Sequence, residues 1–288
     1  MQRRYRVVDA FSATPLMGNP VAIVLDAEGL SDGQMASIAR WTNLSETTFV
    51  LPATTPGADY RLRIFTPERE LPFAGHPTIG TAHAVLEAGL VELSNGGVTQ
   101  ECGVGLVNIA VTGSGSERRL ALTLPPATMV PLDEGDVIEL EAILGHPVSR
   151  PPAPAVIDVG AVWAVAQVEN VDALLALTPD YARSAAFERR KGLTGLSLFA
   201  VDPATGRVET RSFAPSCGVD EDPVCGSGNG CVAVFRARSG QLAGASWAYT
   251  AEQGRNVGRA GLIELSASGD VIRVGGACVT TLIGVLEV

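Results

Sequence analysis

The chain has 288 residues, of which 46% are hydrophobic and 18% charged, with a formal net charge of -10. That length is enough for two domains with cores of their own. The acidic balance and the absence of clustered Lys/Arg exclude nucleic acid as the expected partner. Neither an apolar signal core nor a run of about 18 apolar residues occurs, so no membrane association is expected. Five cysteines are an odd count without the density of a disulfide scaffold, which points to reduced thiols and a cytoplasmic protein. With only three histidines (His76, His83, His146) and no zinc-like Cys/His spacing, no metal site is expected.

In chain order, residues 5–11 and 21–25 read as strands, with Met17-Gly18-Asn19-Pro20 as the turn between them. Ser31 and Gln34 form a capping-box pair that starts a helix, with Met35, Ile38, Ala39 and Trp41 as its buried stripe. After Thr42-Asn43, the β-branched and aromatic content of residues 44–51 predicts a strand, and Tyr60 to Phe65 alternates as another. A helix follows from Pro77 to about Ala88. Proline suits its first turn, Gly89 its end, and its apolar composition predicts sheet on most sides. Residues 104–111 and 119–124 read as strands, and Pro125-Pro126 marks a boundary.

The second half has a short helix over 136–144, a stiff linker at 151–154, and buried strand over 155–168. Residues 171–177 read as helix; 196–201 and 207–213 are strands about a turn at 202–206. A Gly-rich corner then opens a helix to about Arg238, and four closing strands lie near 247–252, 262–266, 271–275 and 280–288. Many strands and few helices make an α+β pattern. The domain reading is 1–126 and 127–277, with 278–288 returning to the first.

The corner itself runs Glu221-Asp222-Pro223-Val224-Cys225-Gly226-Ser227-Gly228-Asn229-Gly230-Cys231. Glycines let backbone lie against a ligand, and a helix starting there points free N–H groups and the positive end of its dipole forward. Alone this is a weak signal, but the first half echoes it. Arg63-x-Phe65-x-Pro67 precedes Ala74-Gly75-His76, and Arg211-x-Phe213-x-Pro215 precedes Cys225-Gly226-Ser227, about 150 residues on. Two like domains are predicted, each presenting a helix N-terminus, with a site between them.

Val8-Asp9-Ala10-Phe11, Gly18-Asn19-Pro20, Asn43-Leu44-Ser45-Glu46-Thr47, Phe65-Thr66-Pro67, Ala74-Gly75-His76-Pro77-Thr78, Glu221-Asp222-Pro223-Val224 and Gln253-Gly254-Arg255 occur in the order seen in the PhzF family of phenazine-biosynthesis isomerases. The chain resembles that family over nearly its whole length. The resemblance implies a diaminopimelate-epimerase-like α+β fold, in which each of two pseudo-symmetric domains curls a mostly antiparallel sheet around a central helix. It also implies a cofactor-free site, a homodimer, and proton shifting on a small carboxylate-bearing substrate. Glu46 falls on the family's catalytic glutamate, a carboxyl that can take a proton from one carbon and return it to another. His76, Asp222 and Ser227 fall on the other polar site positions, and Ser45, Gly75, Gly226 and Cys225 on substrate-lining ones. From context alone, Glu46 reads as a solvated strand residue, His76 as a helix cap, Asp222 as a carboxylate before a turn proline, and Ser227 as an N-terminal cap.

Cys225 departs from the family, which carries Thr or another small residue there. A thiol at a helix N-terminus has a lowered pKa and could serve as a racemase base, but the internal echo offers Ala74, not a second cysteine, as its counterpart. Gly228-Asn229-Gly230 also departs and is read as a pocket wall shaped for a different substrate. An isomerase using Glu46, a racemase or epimerase using Cys225, and a non-catalytic binding protein of the same fold are thus the three readings.

Overall fold

A computed structural model describes residues 1–288, and the chain divides into one unit of 1–123 with 275–288 and another of 124–274. The first stretch holds β1 (Gln2–Ala10), β2 (Asn19–Val24), α1 (Asp32–Thr42), β3 (Thr47–Leu51), β4 (Tyr60–Phe65), β5 (Glu70–Leu71), α2 (Gly75–Glu87), β6 (Gly97–Cys102), β7 (Gly105–Thr112) and β8 (Arg119–Thr123). The second holds β9 (Thr128–Pro131), α3 (Glu134–Leu144), β10 (Ala155–Asp158), β11 (Val162–Gln167), α4 (Val171–Ala176), α5 (Tyr181–Lys191), β12 (Gly195–Val201), β13 (Val208–Ala214), β14 (Val219–Asp222), α6 (Gly226–Arg238), β15 (Ser246–Gln253), β16 (Gly261–Ser268) and β17 (Val271–Gly276). The last strand, β18 (Cys278–Glu287), pairs antiparallel with β1.

Within the first unit the strand order is β18-β1-β2-β3-β4-β6-β7-β8, with β2/β3 and β4/β6 parallel and the other pairs antiparallel. The sheet curls around α2, which touches β1, β2, β3, β6, β8 and β18. Burial on all sides explains why α2 carries so little charge. Its two buried threonines pair inward: Thr81 with Thr48 at 2.9 Å, and Thr78 with the Gln100 amide at 3.1 Å. At Gly80 a Cβ would lie 2.5 Å from Val21 Cγ1, so glycine lets the helix approach β2.

The second unit repeats the plan. Its strands run β9-β10-β11-β12-β13-β15-β16, with β11/β12 and β13/β15 parallel, and α6 packs against β10, β11, β12 and β16. Each central helix has 13 residues and follows a short strand paired to the one before it, β5 to β4 and β14 to β13. The Arg-x-Phe-x-Pro repeat has a packing role in both. Each arginine stacks on the phenylalanine two residues on, at 5.1 Å for Arg63 and 4.9 Å for Arg211. Each also grips a glutamate of the short strand through both of its carboxylate oxygens, Arg63 to Glu70 and Arg211 to Glu221.

Several local readings change. The capping box at Ser31 is present and Met35, Ile38 and Ala39 are buried, but Trp41 is 75% exposed. Residues 44–46 are not strand; β3 begins at Thr47, because the αL residue Asn43 turns the chain before it joins β2. Asn19 and Pro20 belong to β2, opposite Ala10 and Asp9, and the turn lies earlier, where the Asp9 carboxylate accepts the Leu16 N–H. Strand β6 and helix α5 were unforeseen. No helix is long and apolar enough to cross a membrane.

Candidate active site

In the first unit, three elements converge on one polar cluster. Glu46 sits in the connection from α1 to β3, where its carbonyl accepts the Ala22 N–H of β2 at 3.3 Å. Its side chain is 15% exposed, and its Oε2 lies 3.2 Å from Nε2 of His76, itself 11% exposed. The two atoms are in contact without hydrogen-bond alignment, and neither has a hydrogen-bond partner within the chain. His76 is the second residue of α2, and its Nδ1 lies 3.5 Å from the amide of Asn19, which is buried at the head of β2. An amide nitrogen only donates, so at this contact Nδ1 is the acceptor, which leaves Nε2 as the ring atom nearest the glutamate. A carboxyl and an imidazole in contact, shielded from bulk water, can pass a proton between them and onward to a third group.

The backbone around His76 adds donors. The N–H groups of Gly75 and His76 meet no acceptor within the chain, and the third helical position is Pro77, which has none. Ser45 lies immediately before Glu46 in the same partly buried connection.

In the second unit, the chain before α6 is held by one buried side chain. Gln253, in β15, donates from Nε2 to the Asp222 carbonyl at 2.8 Å. Its Oε1 accepts from the Cys225 N–H at 3.1 Å, the Asn229 amide at 2.7 Å and the Thr210 hydroxyl at 3.2 Å. Gly254 follows at φ +107, and a Cβ there would lie 2.6 Å from the Pro223 carbonyl oxygen. The Asp222 carboxylate accepts the Val224 N–H at 3.0 Å, closing the turn through Pro223. Arg255 lies 3.2 Å from Glu209, whose carboxyl burial pushes up to about 7.

Cys225 is the N-cap of α6, its Sγ accepting the Gly228 N–H at 3.2 Å. The cap is therefore this thiol and not Ser227, which occupies the second helical position. The thiol is buried, and desolvation together with the nearby Asp222 charge raises its pKa well above the usual value. The lowered pKa expected of a helix N-terminus is reversed, because burial outweighs the helix dipole. Ser227 Oγ accepts the indole N–H of Trp163 at 3.1 Å and lies 3.6 Å from Cys225 Sγ. Gly228-Asn229-Gly230 is not a pocket wall. Asn229 is fully buried and bonded to Gln253, while a Cβ on Gly228 would crowd Ser212 and Ser197, and one on Gly230 would crowd Leu124. Cys231 is fully buried, whereas Cys102 and Cys278 are partly so.

Sequence reasoning missed Asn19, Trp163 and Gln253 as site-shaping residues. Asn19 and Gln253 stood inside the quoted Gly-Asn-Pro and Gln-Gly-Arg motifs, whereas Trp163, in an apolar strand, carried no signal. A groove of about 360 Å³ lined by Arg61, Arg63, Glu70, Glu101 and Cys102 contains none of the site residues. No group of three or more His, Cys, Asp or Glu side chains is arranged to hold a metal ion.

The curled sheet around one helix in each unit, with a Glu–His pair beside one helix start, defines an α+β enzyme of the epimerase-like fold. The family model for phenazine biosynthesis-like proteins matches residues 8–284, and the chain belongs to that family. It is 36% identical over 268 residues to the trans-2,3-dihydro-3-hydroxyanthranilate isomerase of Pseudomonas fluorescens, covering 92% of this chain and 90% of that one. It is 40% identical over 269 residues to antisense-enhancing sequence 1 of Schizosaccharomyces pombe, with the same coverage. A solved PhzF-family phenazine biosynthesis protein of Bacillus anthracis shares the fold, with a TM-score of 0.90 at 24% identity over the full length of both chains. The protein is an enzyme of the isomerase class.

Proposed function

We infer that the protein moves a proton, and with it a double bond, within a small carboxylate-bearing metabolite, with Glu46 as the proton carrier and no cofactor. The observation that carries this reading is the Glu46–His76 contact of 3.2 Å between side chains that are both largely buried. A carboxyl group partly withdrawn from water can serve as base toward one carbon and as acid toward another. His76 steadies the charge as the proton leaves, and the free N–H groups of Gly75 and His76 bind negative charge that builds on the substrate. Ser45, Gly226 and Cys225 are assigned to substrate lining, Asp222 and Ser227 to holding substrate polar groups.

The name of the Pseudomonas fluorescens relative supplies a first substrate to try, trans-2,3-dihydro-3-hydroxyanthranilate, a cyclic carboxylate. Dimerisation and a cytoplasmic location belong to the same proposal. A racemase working through Cys225 is the weaker reading, since that thiol is buried and spends its lone pair on the Gly228 N–H. A binding protein without turnover leaves the buried Glu46–His76 contact without a task.

Turnover in D₂O separates the three. Isomerisation puts deuterium on a new carbon or transfers hydrogen internally, racemisation labels the α-carbon, and a binder does neither. Activity surviving in Glu46→Gln would sink the proposal.

A further inference from the structure

Ser227 is the one site hydroxyl whose surroundings constrain which way its proton points. Trp163 lies on β11 with its ring 2% exposed, wedged where a Cβ on Gly195 would come within 2.8 Å of Cζ3. Its indole N–H points at Ser227 Oγ from 3.1 Å. An indole nitrogen donates and never accepts, so one Ser227 lone pair is committed to it. On another side stands Cys225 Sγ at 3.6 Å, already accepting the Gly228 N–H. A buried thiol that keeps its proton has Ser227 Oγ as its acceptor in reach, while the sulfur is a poor acceptor for the serine proton.

We propose that Trp163 and Cys225 together fix the Ser227 hydroxyl as a donor toward the bound ligand, so that this corner selects an oxygen that only accepts, a carboxylate, and rejects a donor such as an amine. The inference rests on the reading of Ser227 as a substrate-holding residue and assigns Trp163 as a positioning residue that acts through it. With both lone pairs of Oγ engaged, an ammonium group meets no acceptor on this hydroxyl, whereas a carboxylate takes the free proton. Donating outward also polarises Oγ and strengthens the indole bond behind it.

The test uses the full chain with ¹⁵N-labelled tryptophan, its three indoles assigned through Trp163→Phe. Ser227→Ala, which removes only a hydroxyl, should shift the Trp163 indole resonance and speed its hydrogen exchange; an unmoved resonance overturns the proposal. Benzoate should perturb that indole in the wild type but not in Ser227→Ala, and benzylamine should perturb it in neither. Perturbation by benzylamine, or by neither probe, overturns it. With trans-2,3-dihydro-3-hydroxyanthranilate as substrate, Trp163→Phe should raise KM about tenfold while kcat stays within about threefold, an effect the size of one hydrogen bond to a charged group. In the Ser227→Ala background the same change should cost less than about twofold. An equal loss in both backgrounds would mean that Trp163 merely supports the fold, and the proposal falls. Should the wild type not turn over that substrate while the benzoate result stands, isomerisation of that compound is refuted and the donor assignment is upheld.

Discussion

The starts of α2 and α6 reach one result by two chemistries. Each 13-residue helix leaves two N–H groups without acceptors, at Gly75 and His76 in one and at Gly226 and Ser227 in the other. At the third position α2 has a proline, with no N–H to satisfy, while α6 has Gly228, whose N–H is taken by the Cys225 thiol. The surroundings then diverge. Beside α2 stands a carboxyl in contact with an imidazole; beside α6 stand hydroxyl, indole and amide groups and a proton-bearing thiol. The lesson is that a duplicated scaffold can hold its donor count constant while the two copies take different work, proton transfer being proposed for one and ligand holding for the other.

The largest expected contrast is chemical. Glu46→Gln should lower kcat by about 10³-fold, in the range for loss of a general acid–base, with its far-ultraviolet circular dichroism unchanged. Cys225→Ser should stay within a few-fold of wild type, because a serine can still cap Gly228. Equal losses in the two variants would erase the division of labour.

Stability contrasts come next. Arg211 and Glu221 are both nearly fully buried, and the guanidinium also donates to the carbonyls of Leu174 and Leu177, at 3.0 and 2.8 Å. Arg211→Met leaves a buried charge alone and should cost about 3–5 kcal/mol in urea unfolding. The equivalent Arg63 pairs with half-exposed Glu70 and exposed Asp32, so Arg63→Met should cost about 1 kcal/mol or less. Gly80→Ala forces a methyl against Val21 and should cost about 1–3 kcal/mol. Gly75→Ala meets only Leu122 Cδ1 at 4.0 Å and should leave stability nearly unchanged.

The smallest contrast is one of pH. Counted from Gly75 and Gly226, His83 of α2 has Val234 as its counterpart in the sequence of α6. Burial pushes His83 down to about 4, against a weak pull from Glu87 and with Arg118 and Arg6 adding to the push. The unfolded residue titrates near its ordinary 6.5, so between pH 6.5 and 4 the unfolded state binds the proton that the folded state refuses. Stability from this group is complete above pH 6.5 and declines toward pH 4, by up to about 3 kcal/mol. Denaturation midpoints across that range should slope less in His83→Val, and an unchanged slope would assign the acid sensitivity to other groups.

Much of the architecture was legible because its signals are local. The capping box at Ser31, the proline in the first turn of α2 and the Arg-x-Phe-x-Pro echo depend on residues a few positions apart, and α1, α2 and α6 stand where they were expected. What stayed hidden depends on distant partners. Helix α5 is rich in charge and gains its place from Phe187, buried in the core with strand residues such as Leu196 and Leu198. Trp163 is read as core until its indole is seen to meet a serine 64 residues away. The sign of the Cys225 shift was misread for the same reason, since a helix start is visible in sequence and the depth of a thiol is not.

Strand β1 finds one neighbour, β2, within a few residues, but the other, β18, lies some 270 residues further along. The registers among β9 to β13, β15 and β16, by contrast, join strands made within one later stretch of the chain. As the chain emerges from a ribosome, β1 therefore waits for its second neighbour until Cys278–Glu287 is made. Losing only the segment from Cys278 onward would strip that neighbour from β1 and expose the helix bearing His76, without removing a single residue of the α6 corner.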